Sequence, residues 1–423
     1  MKNMLRNTLV SVACLAAVTL AYGKEVAPGT LLNKASIDAL LNDTLDGKTI
    51  KSLITEKMEW MIRNQGLAMK LAPAKPIEVD PLFTEASKRN AGAVTFDAKT
   101  RAPVGWKSGL PFVNIDLKDP TAGDKIAWNV RYGGLEGYAQ NEPYVWVYLI
   151  DLDKGLERIQ NWAFKRTLMN GRIGQKAGSA TTGDGAIFSK TLTYLTYPLD
   201  IAGIGIFNIR YMDPTKTDDK WVYINQFRRT KRVSGGGWMD PLGGGVDILV
   251  EDLNVWDGLP HWYPSIKLVQ KRSLLVVAHA AQPPLDRTKP ARSPEEAPYQ
   301  DVKNAPYFNT QNSWEPREVY ELEINTPVEH PYGKRVLFVD AQFFQAFHSE
   351  IYDKKGEFYK VINYERAPIT GKDGFKGYSV LQGKFIDFKR RHGTVWAADW
   401  LSNEASINEK TVTLEALERA SGQ

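Results

Sequence analysis

The chain has 423 residues, with 54 basic against 49 acidic side chains and a formal net charge of +5. Charge so near balance over this length excludes a nucleic-acid-binding face built on bulk positive potential. Twelve Trp, 18 Tyr and 16 Phe are a heavy aromatic load, and the length accommodates one large β domain or two ordinary ones.

The first residues read as an export address. Lys2 and Arg6 precede the apolar run Leu9–Tyr22, which has the length of a signal-peptide core and is short for a bilayer span. Ala21-Tyr22-Gly23 places small residues where signal peptidase reads them. A signal peptide over residues 1–23, cleaved near Gly23, and a periplasmic mature chain without a transmembrane span are therefore expected. The single cysteine, Cys14, lies inside that run; as a lipidation site it would leave just Leu9 and Val10 as the apolar stretch, so it reads as a passenger. Cleavage then leaves no thiol for a disulfide, a Cys-type zinc site or a nucleophile.

Residues 24–94 form an expected N-terminal helical segment. Within 31–71, Thr49 caps a helix that places Ile50, Leu53, Ile54, Met58, Met61 and Ile62 on one face, and Gly66 suits the position that ends it. Such a helix either packs on a sheet, the favoured reading, or covers a cavity.

From about residue 95 to 423 the period is two, and one domain is expected. Tyr144, Trp146, Tyr148 and Ile150 alternate with Val145, Val147 and Leu149, so both faces of that strand are apolar and each needs a partner. Similar strands follow around Trp162, Phe207 and Trp221, then at 266–279, 317–324, 335–340 and 345–352, with Asp353-Lys354-Lys355-Gly356 turning into 357–365. Short strands joined by tight turns, without strand–helix alternation, predict a mainly β fold: a large curved antiparallel sheet or unclosed barrel, covered by helices. Gly171–Gly185 reads as a glycine-rich loop, and 282–306 as a Pro-rich loop off the sheet.

Catalytic and metal signatures are missing. His261, His279, His330, His348 and His392 show neither i,i+2 nor i,i+4 pairing, so no metal site is expected. There is no G-x-S-x-G elbow, and the runs Ser234–Gly237 and Gly243–Gly245 lack the Gly-Lys-Ser/Thr ending of a phosphate loop. They read as a flexible loop around Trp238 and Met239. Asp247, Glu251 and Asp252 share one helical face and read as solvated rather than as a cation site. An ester hydrolase is disfavoured, and neither an enzyme nor a cofactor is expected.

In the strand from Trp221, aromatic alternation runs into Arg228, Arg229, Lys231 and Arg232. These cations either rim the mouth of an apolar cavity, meeting a lipid headgroup or an acidic partner, or solubilise a strand end by pairing with Asp213, Asp218, Asp219 or Asp240.

This strand, with Tyr197–Ala202, the acidic stretch Val246–Gly258, Ile266–Val276 and Tyr332–Asp340, resembles the domain-of-unknown-function 1329 family, whose W-x-Y-x-P-x-x-R-R-V-R-R and W-K-L-V-G-K strands are similar. Gly109–Phe112 and Ala127–Asn129 resemble its G-x-P-F and W-N segments, and the likeness covers most of 40–365. Asn225 stands where the family often has Pro, and Ile266 where Trp is commoner. That family in turn resembles the periplasmic lipoprotein-localisation carriers of the LolA and LolB type. The resemblance implies an unclosed antiparallel barrel plugged by helices around an apolar cavity. It also implies work with membrane exporters of the resistance–nodulation–division type.

The expected function is that of a periplasmic carrier for a hydrophobic small molecule, a lipid or an acyl chain; the alternative is an adaptor subunit of an envelope transport complex that carries no cargo. Trp146, Tyr148, Trp162, Phe207, Ile209, Trp221 and Tyr223 are the candidate cavity wall, with the inward face left open between the two sides of each strand.

Overall fold

Strand-forming runs with alternating apolar residues dominate the chain from Ala139 onward, and the computed structural model shows them assembled into one 16-stranded sheet. It describes residues 23–174, 176–224, 229–233, 237–282 and 299–421. The expected signal peptide, Cys14, Asn225, Arg228 and most of the Pro-rich stretch lie outside these described residues.

In chain order the strands are β1 (Leu31–Leu32), β2 (Met69–Leu71), β3 (Ala139–Asp151), β4 (Gly155–Leu168), β5 (Ile187–Tyr197), β6 (Gly205–Tyr211), β7 (Asp219–Ile224) and β8 (Arg229–Val233). They continue with β9 (Ser265–Val276), β10 (Ser313–Asn325), β11 (Lys334–Asp340), β12 (Ala346–Tyr352), β13 (Phe358–Thr370), β14 (Lys376–Asp387), β15 (His392–Ala398) and β16 (Leu401–Ser402). The spatial order is β1-β2-β10-β11-β12-β13-β14-β15-β3-β4-β5-β6-β7-β8, with β9 also on β10 and β16 also on β3. Two antiparallel meanders, β3–β8 and β9–β15, are thus joined where β15 pairs with β3. The β2–β10 ladder is parallel.

The fold is mainly β, with a large sheet that does not close. The barrel that the strand pattern allowed is not formed: among the described residues, no ladder joins β8 to the β1 or β9 end. A helix fills the opening instead. Helix α5 (Ala122–Tyr132) packs on β9, and its last turn reaches the concave side of β3–β7. Gly123 makes that approach possible, because a Cβ there would lie 2.3 Å from the carbonyl oxygen of Ile266.

The N-terminal segment contains α1 (Ile37–Leu40), α2 (Ile50–Leu53) and α3 (Glu56–Gln65). The single helix expected after Thr49 is therefore two, broken at Ile54, which is extended (φ −121°, ψ 156°). Thr55 restarts the helix by accepting from the Met58 amide at 3.0 Å. Gly66, at φ 75°, ends α3 as expected. Ile50, Leu53, Met58, Met61 and Ile62 are all buried, and α2 packs on β9. The same segment contributes β1 and β2 to the sheet, strands that the helical reading of 31–71 did not contain.

Two further helices complete the cover. Helix α4 (Pro81–Asn90) begins at Asp80, whose carboxylate accepts from the Leu82 amide at 2.9 Å. Helix α6 (Leu414–Ser421) lies on β5, β6 and β7. No helix among the described residues is long and apolar enough to cross a membrane.

Candidate functional site

Because side chains alternate along a strand, β3–β7 present one row to α6 and the outer layer and the other row to the concave side. The concave rows are Val145 and Val147 on β3, Trp162, Phe164, Arg166 and Leu168 on β4, Thr191 and Thr193 on β5, Ile206, Asn208 and Arg210 on β6, and Lys220 on β7. With Tyr364, Phe385 and Trp396 from β13–β15 and the end of α5, they enclose a cavity of about 260 Å³. That is near the lower end of small-ligand pockets, roughly 300–1,000 Å³.

Residues 237–262 cross the mouth of this space. Gly243, Gly244 and Gly245 have φ of 93°, 66° and 84°, conformations that other residues rarely adopt. The turn they make presses on the sheet: a Cβ at Gly244 would lie 2.8 Å from the Trp162 ring, and the Gly244 carbonyl accepts from Gln160 Nε2 at 2.6 Å. Trp238 then stacks on Trp262, centroids 4.8 Å apart. This glycine run, expected as a flexible loop, is a fitted cover.

The acids in this segment are its anchors. Asp247, Glu251 and Asp252 were expected on a solvated face, but they are 1%, 1% and 0% exposed. Glu251 and Asp252 sit in a single 3-10 turn, Val250–Asp252, and both accept from Arg335 Nη2, at 2.5 and 2.6 Å. His330 lies 3.1 Å from Glu251, Tyr263 donates to Glu251, and Tyr332 donates to Asp252 at 2.6 Å. Burial alone would raise the Glu251 carboxyl; Arg335, His330 and Tyr263 outweigh it and hold it below the usual carboxylate range. Asp247 accepts from Thr394 at 2.8 Å and lies 2.7 Å from His392 Nδ1. Apart from Tyr263, 12 residues on from Glu251, the side-chain partners of these acids are 79 or more residues distant along the chain.

Aromatic side chains dominate the wall. Seven tryptophans line it: Trp106, Trp162, Trp238, Trp256, Trp262, Trp396 and Trp400. Trp106 also stacks on Tyr132, centroids 4.1 Å apart. Two polar groups interrupt the apolar surface. In the first, Arg210 donates to Asp257 at 2.6 Å and to Asp218 at 3.0 Å, beside Arg131, Lys220 and Asn208. In the second, Arg166 lies 3.6 Å from Glu136, beside Glu142 and Gln140. Burial pushes the Glu142 carboxyl up to about 8, opposed by Arg166 and reinforced by Asp399 and Glu136. At neutral pH it is a neutral acid in the wall, able to donate a hydrogen bond.

Of the candidate wall residues, Trp162 lines the cavity, with Nε1 donating to Gln160 at 2.9 Å. The other six do not. Trp146 and Tyr148 point from β3 to the opposite side and are buried in the main core. Phe207, Ile209, Trp221 and Tyr223 form a second core with Leu192 and with Leu417 of α6. On β3, β6 and β7 the greasier face packs against protein and the face with Asn208, Arg210 and Lys220 is the cavity wall, whereas β4 turns its aromatic row, Trp162 and Phe164, to the cavity.

The cationic strand is likewise displaced from the cavity. Arg229, Lys231 and Arg232 on β8 are exposed and none lines it. Arg232 pairs with Asp219, its guanidinium 5.6 Å over the Trp221 ring. The positive charge at the cavity comes instead from Arg131, Arg166, Arg210 and Lys220, residues the sequence reading did not single out. Their signal was the polar alternate row of β6, Asn208 and Arg210, in an otherwise apolar strand. Among the described residues no group of three or more His, Cys, Asp or Glu is placed to hold a metal ion.

Comparison with known proteins gives remote likenesses and one family. No curated protein is significantly similar to the chain. Among solved structures, a domain described as a candidate outer membrane lipoprotein-sorting protein from Vibrio parahaemolyticus is 16% identical, with a TM-score of 0.43, over 67% of this chain and 92% of that one. A DUF1329 family protein from Desulfovibrio piger is 14% identical, with a TM-score of 0.43, over 66% of this chain and 92% of that one. A LolA superfamily protein from Nitrosomonas europaea is 14% identical, with a TM-score of 0.38, over 70% of this chain and 98% of that one. The family model described as protein of unknown function (DUF1329) matches residues 44–418, so the chain belongs to the DUF1329 family.

Proposed function

We propose that this protein is a periplasmic carrier that holds a hydrophobic small molecule, a lipid or an acyl chain, in the cavity under residues 237–262. In this reading it passes its cargo to or from a membrane exporter. The observation that carries the reading is the wall itself: seven of the twelve tryptophans of the chain face one cavity. Five of those rings, Trp106, Trp162, Trp256, Trp396 and Trp400, are buried side chains of the core that also border this cavity. Transfer of an acyl chain into such a space contributes roughly 0.8 kcal/mol per CH₂, so even a short chain is held usefully.

The test is native mass spectrometry of the protein purified from its host, with titration of a fluorescent fatty acid against the tryptophan emission. A co-purifying hydrophobic ligand, or saturable quenching lost in Trp162→Ala, supports the carrier. Repeated absence of both, together with a stable exporter complex unaffected by Trp162→Ala, would leave the cargo-free adaptor.

A further inference from the structure

In the group around Arg210 the charges are unevenly matched: three cations, Arg131, Arg210 and Lys220, line the wall with two carboxylates, Asp218 and Asp257. Arg210 takes both nearby carboxylates, Asp257 at 2.6 Å and Asp218 at 2.9–3.2 Å. Arg131, whose side chain is 3% exposed, has a contact of 3.6 Å to the same Asp257, a long bond of 3.5 Å to its carbonyl, a hydrogen bond with the Tyr132 hydroxyl and the Phe188 ring at 5.9 Å, but among the described residues no carboxylate of its own. Its Nε has no hydrogen-bond partner. Lys220 is buried too; its ammonium carries three donors, and among the described residues one is used, on the Gly237 carbonyl at 3.2 Å. Asp218, Asp240 and Asp257 act on it through space, Asp240 from an exposed position.

A buried cation without a close counter-charge is costly. Burial duly lowers both groups, Arg131 to about 10 with Arg210 adding repulsion, and Lys220 below the usual lysine range. The second polar group offers no such surplus, because Arg166 there faces Glu136.

We infer that Arg131 and Lys220 are the headgroup site of the cavity, and that the cargo is an amphiphile with one anionic head, a carboxylate or a phosphate monoester, on an apolar tail. The inference rests on the carrier reading and narrows it. The guanidinium fork of Arg131 matches either head in a two-point contact, and Lys220 adds a point charge. The tail then lies along Trp162, Trp256 and Trp396. The headgroup supplies the missing counter-charge, so head and tail are bound by different parts of one wall.

The experiment compares dodecanoate, dodecyl phosphate and dodecanol on the full protein by quenching of tryptophan emission. The two anions should bind about tenfold or more tightly than the alcohol, the scale of a charge-assisted hydrogen bond. The tighter of the two anions names the head. That preference should fall to about threefold or less in Lys220→Met and in Arg131→Met, with dodecanol binding unchanged. If Arg131→Met fails to fold, Lys220→Met and the wild-type comparison decide alone. Dodecanol binding as tightly as the anions overturns the headgroup assignment and leaves the carrier. A preference that survives both substitutions overturns the placement at Arg131 and Lys220. Failure of all three probes to bind overturns the carrier reading and this inference together.

Discussion

Arg335 on β11 donates through Nη2 to Glu251 Oε1 at 2.5 Å, and both side chains are fully buried. The bond ties the segment across the cavity to the second meander of the sheet. The same nitrogen reaches Asp252, and Nη1 donates to the Val255 carbonyl at 2.9 Å, so one guanidinium fixes three points of the cover. Replacing Arg335 with Met leaves two buried carboxylates without their counter-charge. Removing one partner of a buried pair typically costs about 3–5 kcal/mol, and that loss is expected in urea unfolding of Arg335→Met. Lys should restore little, since it lacks the fork. A loss under about 1 kcal/mol would mean that the cover is held by packing, with the clamp incidental.

Glu142 makes the stability of the protein fall as pH rises. Its carboxyl titrates near 8 in the folded chain against an ordinary value of 4.5, because burial disfavours its charged form. Between those values the folded state holds a proton that the unfolded state has released, so each step up in pH favours unfolding. The penalty is absent below about 4.5 and complete above about 8. Glu142→Gln removes it while keeping shape. At about 1.4 kcal/mol for each pH unit of displacement, with part relieved by water entering the cavity, the variant should gain about 2 kcal/mol at pH 8 and nothing at pH 4. Melting curves of both proteins across that range check the sign; a wild-type advantage at pH 8 contradicts it.

Phe207 and Trp162 should separate stability from binding. Phe207 is 4% exposed and packs under α6, so Phe207→Ala is expected to cost about 3–5 kcal/mol, as for other buried aromatics, with ligand affinity unchanged. Trp162 borders open space on one side, so Trp162→Ala should cost less stability and lower affinity for a C12 amphiphile by about tenfold, on the scale of a lost aromatic contact. Denaturation and fluorescence titration of the pair decide it. The reverse pattern would move the binding site to the α6 side.

These two residues also show what the sequence made legible. Period-two alternation placed β3, β4, β6, β7 and β9–β13 nearly correctly but missed β5 and ran β7 and β8 together as one strand; Gly66 marked the end of α3, because both signals are local properties of the chain. Which face of β3, β6 and β7 looks inward is not local. The apolar row of β6, with Phe207 and Ile209, reads as the cavity wall by hydrophobicity, yet it is the row a helix covers more than two hundred residues later. A ligand wall needs polar groups to orient its guest, so the mixed row with Asn208 and Arg210 is the functional one. Glu251 and Asp252 misled for the same reason: as a local pair they read as solvated, and Arg335 lies 84 and 83 residues away. Strands β14 and β15, beyond the last hairpin recognised, supply Phe385 and Trp396 to the wall.

Gly123 gives a test in which local propensity and packing have opposite signs. It lies in the first turn of α5, where Gly→Ala in an exposed helix would stabilise by about 1 kcal/mol. Here the new methyl would meet the Ile266 carbonyl oxygen at 2.3 Å and the Leu268 nitrogen at 3.1 Å, backbone atoms of β9 that cannot rotate away. Helix and strand must separate, and overpacking of this kind typically costs about 1–3 kcal/mol. The same helix delivers Arg131 and Tyr132 to the cavity, so displacing it should also weaken ligand binding. Gly123→Ala is therefore expected to lower both the unfolding free energy and the affinity for dodecanoate. A stabilised variant with intact binding would show that α5 does not sit against β9 in solution, and the wall built on its last turn would have to be redrawn.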